Sequence, residues 1–146
     1  MEVKIKRLHR DAIIPSYAKY GDAGLDLSAV DVSYKDDYIS YKTGLAFEIP
    51  KGYLGLLFPR SSNSKKDLIL CNSVGVLDSG YRGEVEFRYK LVYNGGASRG
   101  LQHTYSIGDR VGQIVIIPYP EITFVEKEEL EDSERGANGF GSTDLK

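Results

Sequence analysis

The chain has 146 residues, 41% of them hydrophobic, with a formal net charge of −2 and a pI near 5.7, which fits one domain able to bury about two thirds of its unfolded surface. That balance excludes an extended basic footprint for nucleic acid, and no polybasic cluster sits beside an amphipathic helix as a membrane surface would require. Cys71 is the only cysteine, so an intrachain disulfide is excluded, and the first residues contain no apolar run of signal-peptide or membrane-span type. A protein that is not secreted is expected, intracellular and cytoplasmic (or in a host-cell interior if viral), with small molecules or proteins as partners.

Eleven tyrosines, 16 glycines and many Val and Ile residues, with almost no sustained 3.6-residue apolar period, indicate a sheet-rich fold with frequent turns. Residues 3–6 alternate as an opening strand, and 12–15 form an apolar run whose Pro15 would keep it at a sheet edge. After a loop over 17–24, strands are predicted over 25–32, 38–41 and 44–49. Pro50-Lys51-Gly52 turns the chain into a strand at 53–58. Only residues 62–66 invite a helical turn, before short strands at 68–70 and 85–92. Further strands are predicted over 103–107, 110–118 and 122–126. Short strands at such spacing define an all-β fold, a jelly-roll-like sandwich or barrel, with no internal repeat. From Glu126 the chain turns charged, so a β domain over 1–126 is expected to carry a flexible C-terminal arm over 127–146.

Residues 75–87, GVLDSGYRGEVEF, organise the rest. Val74, Val76 and Leu77 are apolar, Asp78-Ser79-Gly80 is turn chemistry, and Val85, Phe87 and Tyr89 alternate with Glu84, Glu86 and Arg88. The expectation is a tight hairpin with a carboxylate at its tip. Asp favours such turns because its side chain bonds nearby backbone N–H groups, so alone it is more often structural than catalytic.

Two other stretches carry donors. Pro59-Arg60-Ser61-Ser62, after an apolar strand, sets hydroxyls and free N–H groups beside a guanidinium, a geometry suited to phosphate oxygens. The plainer alternative is a helical turn capped by Ser61 or Ser62. The tail combines Arg135, three glycines, Phe140, Ser142 and Thr143. Either it is a frayed terminus, or it is a lid in which glycine N–H groups, hydroxyls and Arg135 wrap phosphate while Phe140 offers a stacking face. Gly108-Asp109-Arg110 reads as an ordinary turn into a buried strand whose one polar interruption is Gln113. His9 and His103 have no Cys or second His at zinc-ligand spacing, and no GxSxG elbow supports a serine nucleophile.

Taken together and in order, these stretches resemble the five motifs of the homotrimeric dUTP pyrophosphatase (dUTPase) family. They stand here as AGLDLSA at 23–29, PRSS at 59–62, NSVGVLDSGYRG at 72–83, GDRVGQ at 108–113 and the tail from Arg135 to Thr143. The resemblance implies a jelly-roll subunit in a threefold assembly, each active site being shared by three chains and capped by a neighbour's tail. It implies hydrolysis of dUTP to dUMP and pyrophosphate, limiting uracil incorporation into DNA and supplying dUMP for thymidylate synthesis.

The roles it implies fall on matching positions. Asp78 would activate the water that attacks the α-phosphorus, and Tyr81 would pack under the deoxyribose, leaving no room for a 2′-hydroxyl. Asn72 and the backbone around Val76 and Leu77 would read the uracil edge. Arg60, Ser61, Ser62 and Gln113 would hold phosphate oxygens. Arg135, Phe140, Gly141, Ser142 and Thr143 would close over the γ-phosphate and the base. Mg2+ would ride on the triphosphate, with Asp26 at most contacting it through water. The chain departs from the family pattern at Ser62, at Asn63-Ser64, at Asn138 and at Asp144.

Two other functions fit the same scaffold. A dCTP deaminase relies on a glutamate in the strand after the third motif, where this chain has Arg88. A nucleotide-controlled regulator binding a partner protein would retain the same pocket. A plain β-sandwich binding module would not need five ordered motifs.

Overall fold

Period-two burial runs along residues 68–70, 75–77 and 86–91 of the structure, a computed structural model that describes residues 1–92 and 103–139. In chain order the strands are β1 (Lys4–Arg7), β2 (Leu25–Ser28), β3 (Asp31–Tyr34), β4 (Ile39–Lys42), β5 (Leu45–Glu48), β6 (Tyr53–Phe58), β7 (Leu68–Leu70), β8 (Gly75–Leu77), β9 (Glu86–Leu91) and β10 (Arg110–Pro118). The 3-10 turn that lies wholly within the described residues is Ser61–Lys65.

Two antiparallel four-stranded sheets face each other, in the orders β2-β10-β6-β8 and β3-β4-β9-β7, and a β1-β5 ribbon closes one side. This is the all-β sandwich expected, with the eight main strands of a jelly roll. Leu27, Leu57, Leu77, Val111 and Ile114 from the first sheet meet Ile39, Tyr41, Leu68, Leu70, Phe87 and Tyr89 from the second. Burying one such side chain is worth about 1.5–3 kcal/mol. Tyr41 packs edge-on against Tyr89 and Tyr105, with centroids 5.9 and 5.7 Å apart. Their hydroxyls are not orphaned: Tyr89 donates to the Val111 carbonyl at 2.7 Å, and Tyr41 accepts the Tyr105 N–H at 3.3 Å. A β-bulge between Arg110 and Gly112 shifts the β2–β10 register. It brings Gly112 under the Phe87 ring, where any Cβ would collide.

Several expected elements differ. Residues 12–15 form no strand, because the chain turns at His9, whose carbonyl accepts the Ala12 N–H, and residues 13–15 have no sheet edge beside them. The strand predicted over 25–32 is two strands in different sheets; at the corner Ala29 donates to the Asp109 carbonyl and Val30 to that of Lys42. Residues 103–107 form no strand either: Ser106 donates to the Asp109 carboxylate, making a turn, while Tyr105 is spent on the core. Residues 122–126 form no strand. Nor is 75–87 a closed hairpin, since β8 pairs with β6 while β9 pairs with β4 and β7. The reversal crosses from one sheet to the other because Val85 is tied to the Thr43–Leu45 corner, donating to Leu45 and accepting from Thr43.

Candidate functional site

Strand register assembles the first half of the site. Gln113 of β10 stands opposite Asp26 of β2 on one side and Phe58 of β6 on the other, so segments 23–29, 59–62 and 108–113 converge at one end of the first sheet. Asp26 accepts from Arg60 Nε at 2.6 Å and from an Arg110 guanidinium nitrogen at 3.1 Å. A second Arg60 nitrogen donates to Ser62 Oγ at 3.1 Å, and Gln113 Nε2 donates to the Pro59 carbonyl at 3.0 Å. Gly24 lies so close to the Gln113 carboxamide that a Cβ would overlap its oxygen. The result is an open cleft of about 460 Å³, lined in part by Asp22, Asp26, Arg60, Arg110 and Gln113. Two guanidinium forks around one carboxylate keep N–H groups in reserve for a polyanion.

The turn at 61–65 begins at Arg60, with no side-chain capping bond. The Ser62 hydroxyl therefore serves Arg60 and not the turn, whereas Ser61 is exposed. From the sequence Arg110 reads only as part of a turn and not as a site residue; the signal for its place in the cleft is a cation where a buried strand begins.

Asp78, Tyr81, Asn72, Val76 and Leu77 lie elsewhere. Along β8, Gly75 and Leu77 are buried, so Val76 and, just beyond, Asp78 face out. Leu77 lies in the row with Gly55 and Ile116, three residues along β10 from Gln113 and two strands over, or about 10 Å along the sheet and about 10 Å across it. After Asp78 the chain reverses, the Tyr81 N–H bonding the Asp78 carbonyl at 3.1 Å, and the Arg82 guanidinium caps the Ser79 and Tyr81 carbonyls at 2.6 and 2.8 Å. Tyr81 is 46% exposed; its hydroxyl donates to the Glu84 carbonyl at 3.3 Å and its ring occupies the space a Gly83 side chain would need. Glu84 is itself fixed by the Gly44 N–H at 2.8 Å. Asn72 is exposed in the turn closed by Ser73 N–H to the Leu70 carbonyl at 3.1 Å. One chain thus brings Arg60, Ser62, Gln113 and Asp26 together, and holds Asp78 and Tyr81 apart from them.

In the tail, Arg135 donates to the Asn138 carbonyl at 3.1 Å within a local turn, and every residue from Ile117 to Asn138 is exposed. Phe140, Gly141, Ser142 and Thr143 lie outside the described residues, as does Asp144. Arg88 is on the outer face of the second sheet, 2.7 Å from Glu86 and over the Tyr38 ring. Burial alone would raise the Glu86 carboxyl, but hydrogen bonds from Arg88 and Ser40 outweigh it and hold the group below the usual range.

Guanidinium, hydroxyl and amide donors thus cluster in a cleft at one end of a sheet in an all-β sandwich. The dUTPase family model matches residues 10–144, and the chain belongs to that family. The deoxyuridine 5'-triphosphate nucleotidohydrolase of Hydrogenobaculum sp. (strain Y04AAS1) is 36% identical, over all of both chains. A dUTPase mutant of Staphylococcus bacteriophage 80alpha, solved with dUpNHpp, is 28% identical with a TM-score of 0.84, over 97% of this chain and 98% of that one. A dUTPase mutant from phage phi11 of S. aureus, described with a structural Mg(II) ion, is 26% identical with a TM-score of 0.74, over 90% of this chain and all of that one.

Proposed function

We propose that this chain hydrolyses dUTP to dUMP and pyrophosphate, and that it does so as a homotrimer whose sites are shared between copies. The family supports the reaction. The sharing is carried by one observation: the cleft around Arg60 and the turn bearing Asp78 occupy opposite corners of one sheet, too far apart to serve one phosphate within a chain. The outer face of that sheet agrees, for Leu54, Leu56, Phe58, Val115, Ile117 and Val76 all face away from the core. An antiparallel sheet that is apolar on both faces calls for a cover, and packing copies face to face there would bring one copy's Asp78 toward another's cleft.

In this reading Arg60, Ser61, Ser62 and Gln113 hold the phosphate oxygens, with Arg110 beside them. Asp78 takes the proton of the attacking water, which displaces pyrophosphate at the α-phosphorus. The Tyr81 ring, seated on Gly83 and tied to Glu84, presents a wall to the sugar that cannot yield to a 2′-hydroxyl. Asn72 and the backbone at Val76 and Leu77 face the uracil edge. The arm over 127–146, with Arg135, Phe140, Gly141, Ser142 and Thr143, closes over a neighbour's site. Beyond Tyr119, whose N–H bonds the Gly52 carbonyl at 3.0 Å, exposed Ile122, Phe124 and Val125 are free to pair elsewhere.

Mg2+ fits as a companion of the triphosphate. Both Asp26 oxygens already accept guanidinium bonds, which leaves room for a water-mediated contact and not for a tight chelate; no group of three or more His, Cys, Asp or Glu that could hold a metal occurs among the described residues. When bound, the ion would neutralise phosphate charge. Among the described residues no helix is long and apolar enough to cross a membrane.

Pyrophosphate release measured across dUTP, UTP, dTTP and dCTP tests the reading. Turnover of dUTP alone is expected. No release from dUTP in the presence of magnesium would overturn it, and ammonia from dCTP would favour a deaminase, for which the position of Arg88 offers no carboxylate.

A further inference from the structure

The turn that carries Arg60 is tied to the core through Asn63. Every polar group of Asn63 is hydrogen-bonded: its N–H bonds the Arg60 carbonyl at 2.9 Å, its carbonyl accepts the Lys66 N–H at 2.9 Å, its Nδ2 donates to the Leu68 carbonyl at 2.9 Å, and its Oδ1 accepts the Tyr105 hydroxyl at 3.1 Å. An apolar residue there could make only the two backbone bonds. Tyr105 is 3% exposed, edge-on to Tyr41 and tilted against Tyr89 at 5.7 Å. Its other ring face lies under the Lys66 ammonium at 4.9 Å, which is tethered to the Thr104 carbonyl at 2.7 Å. Burial raises the Tyr105 phenol, and the nearby Arg60 charge opposes that shift. Ser62 completes the link by accepting from Arg60 on the cleft side of the same turn.

We propose that Tyr105 and Asn63 are positioning residues for phosphate binding: the phenol, locked in the core, pins Asn63, and Asn63 fixes the turn that aims the Arg60 guanidinium into the cleft. Neither side chain lines the cleft, so both act through Arg60. A hydrogen bond to a rigid core group transmits the geometry of the second sheet to the end of the first. The proposal rests on the reading of Arg60 as a phosphate ligand.

The test is Tyr105→Phe, which keeps the ring and its packing and removes only the hydroxyl, together with Asn63→Ala and the double variant. Binding of dUpNHpp and of dUMP is measured by calorimetry, and KM and kcat for dUTP are measured alongside. Each single variant is expected to weaken dUpNHpp and raise KM about five- to tenfold, the scale of one lost hydrogen bond. Binding of dUMP, without the outer phosphates, should change less than twofold, and the double variant should be no worse than Asn63→Ala. A general loss of fold would weaken both ligands alike and lower the melting temperature in step. Equal weakening of dUMP and dUpNHpp, or wild-type KM in Tyr105→Phe, would overturn the proposal. A wild-type protein inert toward dUTP would sink the functional reading, a result separable from either.

Discussion

The two ends of the first sheet differ in how far one chain completes them. At the Asp26 end every charged group has an internal partner: Asp26 serves two arginines, Arg60 is also bound to Ser62, and Gln113 is bound to Pro59. At the Asp78 end the backbone is tightly fixed by Arg82, Glu84 and Thr43, yet Val76, Asp78 and Tyr81 present their side chains outward. The first is a preformed electrostatic cradle. The second is a rigid mount for outward-facing groups, which on the proposed reading meet their counterparts from another copy across the apolar face between the two ends.

Asp78→Asn should break the contrast most sharply. Removing the base should lower pyrophosphate release by about 10²- to 10⁴-fold while the melting temperature and dUpNHpp affinity stay near wild type. Normal turnover by that variant would remove Asp78 from the mechanism. Deleting residues 135–146 should cost turnover on the order of 10²-fold through lost closure and orientation, and leave the elution volume on size exclusion that of an assembled trimer with a shorter tail. Asp26→Ala should act in the opposite sense to Asp78→Asn. It leaves Arg60 and Arg110 facing each other without their shared anion, so stability should fall by about 1.5–3 kcal/mol, readable in urea melts, with KM rising as well. An unchanged melt would mean the cradle is held by packing alone.

The smallest effect concerns the second sheet. Burial pushes the Tyr41 phenol up to about 12, and raises Tyr89 and Tyr105 as well. A phenol whose folded pKa exceeds its unfolded value of about 10 favours the native state in full below that pH. Above it the unfolded chain binds fewer protons, so stability falls as pH climbs from 10 toward about 12. Thermal melts from pH 8.5 to 11.5 should show that decline, and phenolate absorbance should rise in a late step coincident with unfolding.

Much of this was legible in the sequence for a physical reason. Residues 53–58 and 110–118 form nearly unbroken apolar runs bounded by glycine, proline and aspartate, and a run with no polar alternation is what a sheet covered on both faces requires. Residues 12–15 and 122–125 look as apolar, but whether such a segment becomes a strand depends on an edge being beside it, and local pattern cannot show that. The same limit hid the sheet switch at Ala29 and the crossover after Asp78, which arise from bonds to Asp109, Lys42 and Leu45, distant in sequence. The site residues were recognisable as an ordered set, whereas their division between two corners was not. Tyr105 gave no local sign of its reach toward Arg60.

With each working site shared between copies, as proposed, catalysis should behave as a property of the population. Specific activity should drop on dilution once subunits part, and blending Asp78→Asn with an Arg60-deficient protein should revive turnover through mixed sites that inherit an intact half from each parent. Two inert preparations would then become one active solution.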